Sequence, residues 1–254
     1  MNDNLKKALF DYLLWMGDTA LVLGHRLSEW CGHGPILEED IALTNIALDL
    51  IGQARYYYSY AGEVDGTGKS EDQLAYMRDV LAYHNSLLVE QPNGDFAFTM
   101  VRQFLFTAFS YHLQDALLSS SDERIRSVAE KAIKEVTYHL RHSSDWIIRL
   151  GDGTDESHKK VQEAIDNIWM FVDDLFLTLP SDKLLVGAKV IPEMAAIRQK
   201  WEVTVKSVLE EATLKQPKAS YMMKGGREGK HTEHLGHILA ELQFLPRAYP
   251  DAKW

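Results

Sequence analysis

Apolar residues recur along most of this chain at the three-and-four spacing of helices, and alternating strand-like stretches are few. The seven prolines stand at positions 35, 92, 180, 192, 217, 246 and 250, and the periodic segments lie between them. The first predicted helix runs from about Lys6 to Trp30 and stops at the breaker cluster Cys31-Gly-His-Gly-Pro35. The second runs from about Glu38 to Gly62. A shorter helix from about Ser70 to Leu87 leads into Glu90-Gln-Pro-Asn-Gly94, where Asn93-Gly94 suits a turn with positive φ. The next, about Asp95 to Leu118, is apolar almost all round through Phe104 to Phe109, the mark of a helix covered on several sides.

Ser121-Asp122-Glu123 supplies an N-cap and an acidic first turn for a helix to about Leu150, ended by Gly151-Asp-Gly153. Thr154-Asp-Glu156 caps another to about Leu177, and an irregular stretch follows from about Pro180 to Val190. Pro192 opens a helix to about Leu214, since proline in a first turn sacrifices only an orphan N–H. A last helix spans about His231 to Leu245, preceded by Gly225-Gly-Arg-Glu-Gly-Lys230, a flexible basic loop by composition. Two antiparallel pairs of long helices with others appended predict an all-α chain, a ferritin-like four-helix bundle with additional helices in one domain over residues 1–254. Periodicity alone does not separate that topology from a simple up-and-down bundle.

Composition changes the picture little: 46% hydrophobic and 25% charged residues describe an ordinary folded chain. The net charge of −10 argues against non-specific binding of nucleic acid, which needs clustered Lys and Arg. No apolar run approaches the roughly 20 residues of a membrane span, and the opening Met1-Asn-Asp-Asn-Leu-Lys-Lys lacks a signal peptide's apolar stretch, so a cytoplasmic location is expected. Cys31 is the only cysteine, which rules out an intrachain disulfide and any multi-cysteine metal site, and it reads as structural.

A ferritin-like bundle poses one chemical question. Dimetal members carry a Glu on each of two core helices and Glu-x-x-His on each of the other two. Here Glu-x-x-His occurs once, at Glu228 to His231, with its Glu in the glycine-rich loop, and the related Asp155 to His158 stands at an exposed helix start. Where a motif is expected on the second helix, Asn45, Asp49 and Gln53 form a row without histidine. In the helix after Ser121, Glu135 and His139 stand four apart, with Tyr138 at the motif's imidazole position and His142 a turn further. The first helix adds Asp18, His25 and Glu29; the apolar helix adds Gln103, Thr107, Ser110 and Gln114. Hard metal ions need several carboxylates, and this interior offers mostly amides and hydroxyls. Glu29, Asp49, Gln53, Gln103, Glu135 and His139 therefore read as a dismantled dimetal row, or as internally paired or solvent-facing polar groups. His231, Glu233, His234 and His237 read as a docking surface rather than a metal site, and Tyr56-Tyr-Tyr58-Ser-Tyr60 as packing plus an interface patch.

Six stretches recur together in one known family. Leu23-Gly-His-Arg-Leu-Ser-Glu-Trp-Cys-Gly-His33, Ala47-Leu-Asp-Leu-Ile-Gly-Gln-Ala-Arg55, Leu88-Val-Glu-Gln-Pro-Asn-Gly94, Tyr138-His-Leu-Arg141, Leu150-Gly-Asp-Gly-Thr154 and His231-Thr-Glu-His-Leu-Gly236 resemble the phenylacetyl-CoA epoxidase C-subunit family. The resemblance implies a non-catalytic structural subunit that pairs with an iron-bearing catalytic A subunit and other epoxidase subunits in aerobic phenylacetate degradation. It implies no cofactor in this chain, iron in the partner, and a shared groove for phenylacetyl-CoA. Ala82, Tyr83, His84 and Asn85 are placed near that groove by the resemblance, Asn85 as a matched position, with Lys183, Leu184 and Leu185 as weaker candidates. Two other readings stay open: a self-sufficient dimetal oxygenase using Glu29, Asp49, Glu135 and His139 as unusual ligands, and a ferritin-like module binding an unrelated acyl-CoA.

Overall fold

The computed structural model describes residues 2–218, 221–250 and 252, and no strand occurs among them. In chain order the helices are α1 (Asp3–Ser28), α2 (Leu37–Asp65), α3 (Glu71–Tyr76), α4 (Leu87–Glu90), α5 (Phe96–Leu117), α6 (Glu123–Gly151), α7 (Asp155–Ile168), α8 (Asp182–Gly187), α9 (Met194–Glu211), α10 (Glu233–Leu242) and α11 (Phe244–Ala248). The chain divides into two compact units, Met1–Pro92 with Gly225–Trp254, and Asn93–Lys224.

The first unit is built on α1 and α2, which pack along their lengths. They are antiparallel: a Cβ at Gly17 would meet Tyr58 Cε1 at 2.7 Å, whereas one at Gly24 would meet the Ala47 carbonyl at 3.2 Å. Asn2 starts α1 by accepting the Leu5 N–H at 2.8 Å. The helix predicted over Ser70 to Leu87 is broken. A capping box of Ser70 and Gln73 starts α3, but regular helix stops at Tyr76, and only a 3₁₀ turn, Val80–Ala82, precedes α4.

The cause is where the freed carbonyls find donors. Leu74 O accepts Arg78 Nε at 2.5 Å, Ala75 O takes the Tyr83 hydroxyl, and Tyr76 O takes Arg247 Nε at 2.9 Å. Arg78 O receives Gln243 Nε2 and Arg247 Nη2, both at 2.9 Å. Side chains, those of Arg78 and Tyr83 from nearby and those of Gln243 and Arg247 from far along the chain, thus replace the helix ladder. The last predicted helix is likewise divided, into α10 and α11 at Gln243.

The loop Gly225–Lys230, expected to be flexible, is instead packed. It contains a 3₁₀ turn, Gly226–Glu228, and Arg227 is 3% exposed with its guanidinium 4.4 Å from the Trp15 ring. Gly229 adopts φ +75°, and a Cβ there would come within 2.5 Å of the Leu81 carbonyl. Both conditions favour glycine, so this composition serves close approach rather than mobility.

In the second unit α5 packs against α6, α7 and α9. Asp95 and Asp122 cap α5 and α6 by accepting the N–H of Phe98 at 2.9 Å and Ile125 at 3.0 Å. Phe104 to Phe109 are all buried, as their apolar run predicts. The helix expected to reach Leu177 changes character after Ile168: Trp169–Phe176 is 3₁₀. Three residues per turn aligns Trp169, Val172 and Leu175 on one buried line. Trp169 and Phe176 lie against Trp201, whose indole donates to Leu105 O at 2.9 Å. The stretch expected to be irregular, Pro180 to Val190, contains the short helix α8, anchored where the Leu179 N–H donates to Asp182 at 2.9 Å.

Candidate functional site

Two buried carboxylates organise the first unit. Asp18, on α1, is fully buried; it accepts the Tyr58 hydroxyl at 2.6 Å, Arg78 Nη1 at 3.0 Å and the His84 N–H at 2.7 Å, and also pairs with Arg78 Nη2. Arg78 lies 4.4 Å over the Tyr83 ring. Burial opposes the Arg78 charge, yet the adjacent Asp18 carboxylate outweighs it and raises the guanidinium pKa. The Tyr58 hydroxyl is pushed well up, first by burial and then by the Asp18 charge.

Glu90 closes α4 and is also fully buried. Its Oε1 accepts the Thr232 N–H at 2.6 Å and the Thr232 hydroxyl at 2.8 Å; its Oε2 accepts Asn85 Nδ2 and faces His231 Nδ1, each at 2.9 Å. Arg26 Nη2 donates to the Glu90 carbonyl at 2.9 Å. His231 Nε2 lies 2.9 Å from the Tyr83 carbonyl, so both ring nitrogens face acceptors and the imidazolium form satisfies both. Burial lowers the His231 pKa, but the Glu90 hydrogen bond and charge, with the Tyr83 carbonyl and the Asp18 charge, outweigh it and raise it overall. His231, read as part of a docking surface, is in fact an internal bridge with a side chain 1% exposed. His234 is half-buried and His237 exposed.

A testable pH dependence follows. A histidine whose folded pKa exceeds its unfolded value of about 6.5 stabilises fully below that value, and the contribution fades as pH rises through the folded pKa. The urea midpoint of the wild type minus that of His231→Gln should therefore fall from about pH 6.5 upward. The subtraction isolates His231 from His25 and His112, whose pKa values are lowered by burial and whose contributions run the other way. A flat difference across pH 6 to 9 would mean that His231 is not held as an imidazolium.

Of the residues expected near a groove, Ala82 lines one of about 880 Å³, with Asp79, Val80 and Leu81 on one wall and Gly236, Leu239 and Phe244 among those on the other. Tyr83 and Asn85 are fully buried, and His84 is half-buried with Nδ1 3.1 Å from the Arg227 carbonyl. These three hold the groove's supporting segment. Lys183 and Leu184 are exposed on α8 and Leu185 is buried, all in the second unit.

The six residues read from the sequence as a former dimetal row divide between the units. Glu29 caps the end of α1 and pairs with Arg26 at 3.0 Å; Asp49 and Gln53 lie one turn apart on α2, Gln53 4% exposed. In the second unit Gln103 and His139 are fully buried and Glu135 is half-buried. Among the described residues neither side-chain polar atom of Gln103 has a hydrogen-bond partner. Thr107 Oγ1 and Ser143 Oγ lie 3.0 Å apart, and Ser143 donates to the His139 carbonyl at 2.8 Å. Among the described residues no group of three or more His, Cys, Asp or Glu side chains could hold a metal ion. Buried amides at Gln53 and Gln103 and an ion-paired Glu29 do not match the carboxylate-rich set that a pair of iron ions requires.

Sequence reasoning noted Asp18 only as a polar group on α1 and passed over Arg78 and the role of Glu90. A signal for Glu90 exists: a carboxylate directly after Leu87-Leu-Val89 must find partners if that run is buried.

Long helices with short ones appended, and no strand among the described residues, define an all-α protein consistent with the ferritin-like class. Among the described residues no helix is long and apolar enough to cross a membrane. The chain belongs to the phenylacetic acid catabolic protein family, whose profile matches residues 1–254. It is 47% identical over 243 residues, 96% of this chain and 98% of the relative, to the C subunit of the 1,2-phenylacetyl-CoA epoxidase of Escherichia coli (strain K12).

Proposed function

We propose that this chain is a non-catalytic, structural subunit of a multicomponent 1,2-phenylacetyl-CoA epoxidase, pairing with an iron-bearing catalytic A subunit in aerobic phenylacetate breakdown. The observation that carries this reading is the 47% identity, along almost the whole of both chains, to a protein named as the C subunit of that enzyme. The chemistry of the interior agrees with it, because amides at Gln53 and Gln103 are poor ligands for hard metal ions. In this reading the chain steadies its partner and contributes to the acyl-CoA groove. Ala82, on the wall beside Leu81, and Lys183, an exposed cation suited to a CoA phosphate, are the side chains to examine first.

The test is co-expression with the catalytic subunit. The two chains should purify together, the pair should turn over phenylacetyl-CoA when supplied with reductase and O2, and this chain alone should hold no stoichiometric iron. About two tightly bound iron atoms per isolated chain, or turnover by this chain without the partner, would overturn the proposal.

A further inference from the structure

Residues 225–248 belong to the first unit and form a strap against the segment between α3 and α4. Polar contacts hold much of it. α10 buries Leu235, Ile238 and Leu239, and α11 buries none of its described residues. Towards the end of the strap Gln243 and Arg247 donate to the Ala75, Tyr76 and Arg78 carbonyls. Near its start Thr232 and His231 reach Glu90. An element attached in this way gives up little buried apolar surface when it opens, so it can open by itself.

His231 joins the two walls of the groove. One wall is residues 79–82, and the carbonyl of the next residue, Tyr83, faces His231 Nε2 at 2.9 Å. The other wall starts at Gly236, a short way along the strap from His231. His231 Nδ1 lies 2.9 Å from Glu90 Oε2, and the two side chains are 1% and 0% exposed. A neutral imidazole carries one N–H and can donate to only one of these acceptors. Its other nitrogen then sets a lone pair against an oxygen 2.9 Å away, with no water to intervene. Glu90 has no room for a proton of its own, since the Thr232 N–H and hydroxyl, Asn85 Nδ2 and His231 fill both sides of its two oxygens.

The other charged and titratable groups nearby do not meet this conflict. On α1, Asp18 is held by Arg78, and Arg26 donates to the Glu90 carbonyl. Before α4, the Tyr83 hydroxyl donates to the Ala75 carbonyl, and His84 Nδ1 lies 3.1 Å from the Arg227 carbonyl, a bond that a neutral ring keeps. On the strap, Glu228 and Lys230 pair at 2.7 Å, Glu233 is exposed and His234 is half-buried. The geometry points to a proton-controlled latch: the Glu90–His231–Tyr83 bridge, complete only with an imidazolium, keeps the strap seated on residues 79–82, and loss of that proton opens the groove while α1 and α2 stay folded. Burial works against the imidazolium, but the Glu90 hydrogen bond and charge outweigh it and raise the His231 pKa. The latch is therefore closed below about pH 6.5 and released as pH rises through the folded pKa.

Hydrogen exchange of the full chain reads the opening, with each rate divided by its intrinsic value at that pH. From about pH 6 to about pH 8.5, peptides within residues 226–248 and 76–84 should lose protection by roughly tenfold or more, the scale of one hydrogen bond to a charged group. Peptides of α1 and α2 should keep theirs. The loss should follow the titration of the His231 ring observed by NMR in the wild type, a comparison that needs no variant to fold. His231→Gln should abolish the pH response, and His84→Gln should retain it. Strap protection that stays constant while the His231 ring titrates, or that falls only together with α1 and α2, would overturn the latch. So would a pH response that survives in His231→Gln or disappears in His84→Gln.

Discussion

Replacing Glu90 by alanine should destabilise the protein by roughly 3–5 kcal/mol, the scale for removing one partner of a buried ion pair. The carboxylate is fully buried and satisfies the Thr232 N–H and hydroxyl, Asn85 Nδ2 and His231 Nδ1. Without it these donors are left in a dry interior, and His231 can relieve only part of the loss by giving up its proton. Glu90→Gln keeps the shape and an amide oxygen that Thr232 can still use, so its cost should be smaller, about 1–3 kcal/mol. Urea denaturation measures both. Hydrogen exchange should also show the segment from Gly225 to Ala248 opening before α1 and α2, because Glu90 fastens that returning segment to α4. A Glu90→Ala protein within about 1 kcal/mol of the wild type would show that the carboxylate is not what holds it.

The long helices can be read in the chain because each is bounded by local chemistry. Asp95, Asp122 and Thr154 cap the starts of α5, α6 and α7, accepting N–H groups three residues ahead. The 31–35 cluster and the turn before Asp95 end or separate elements by means that act within a few residues. The errors fall where distant groups decide. Between Ser70 and Leu87 periodicity favours continuous helix, but Gln243 and Arg247, about 170 positions away in sequence, supply donors to the carbonyls that a helix would have used.

The polar site follows the same division. The lack of Glu-x-x-His on the long helices is a local property and could be scanned for directly. The pairing of Glu90 with His231 is not local: 141 residues separate them, and no spacing rule connects the two. Composition misled at Gly225–Lys230 for a related reason. Glycines that look like a flexible linker are there so that the backbone can pass close to Leu81, a neighbour the one-dimensional pattern does not reveal.

Asp18→Ala should be the other large loss, again about 3–5 kcal/mol. Three elements meet at this carboxylate: it lies on α1, Tyr58 reaches it from α2, and Arg78 and the His84 N–H reach it from the segment between α3 and α4. Arg78 cannot escape to water at little cost, since its side chain is 14% exposed and lies under Tyr83. It would keep its bonds to the Leu74 and Ala82 carbonyls while losing the carboxylate that balances its charge. A double-mutant cycle separates loss of the pair from loss of packing. If the cost is mainly an uncompensated buried charge, Asp18→Ala with Arg78→Met should be less destabilising than the sum of the two single changes, by roughly 1–3 kcal/mol. Additivity would assign the cost to the separate hydrogen bonds. The groove supplies a second readout: Arg78 positions Asp79 to Ala82, so Asp18→Ala should speed proteolysis or hydrogen exchange of that wall while α5 and α6 keep their protection.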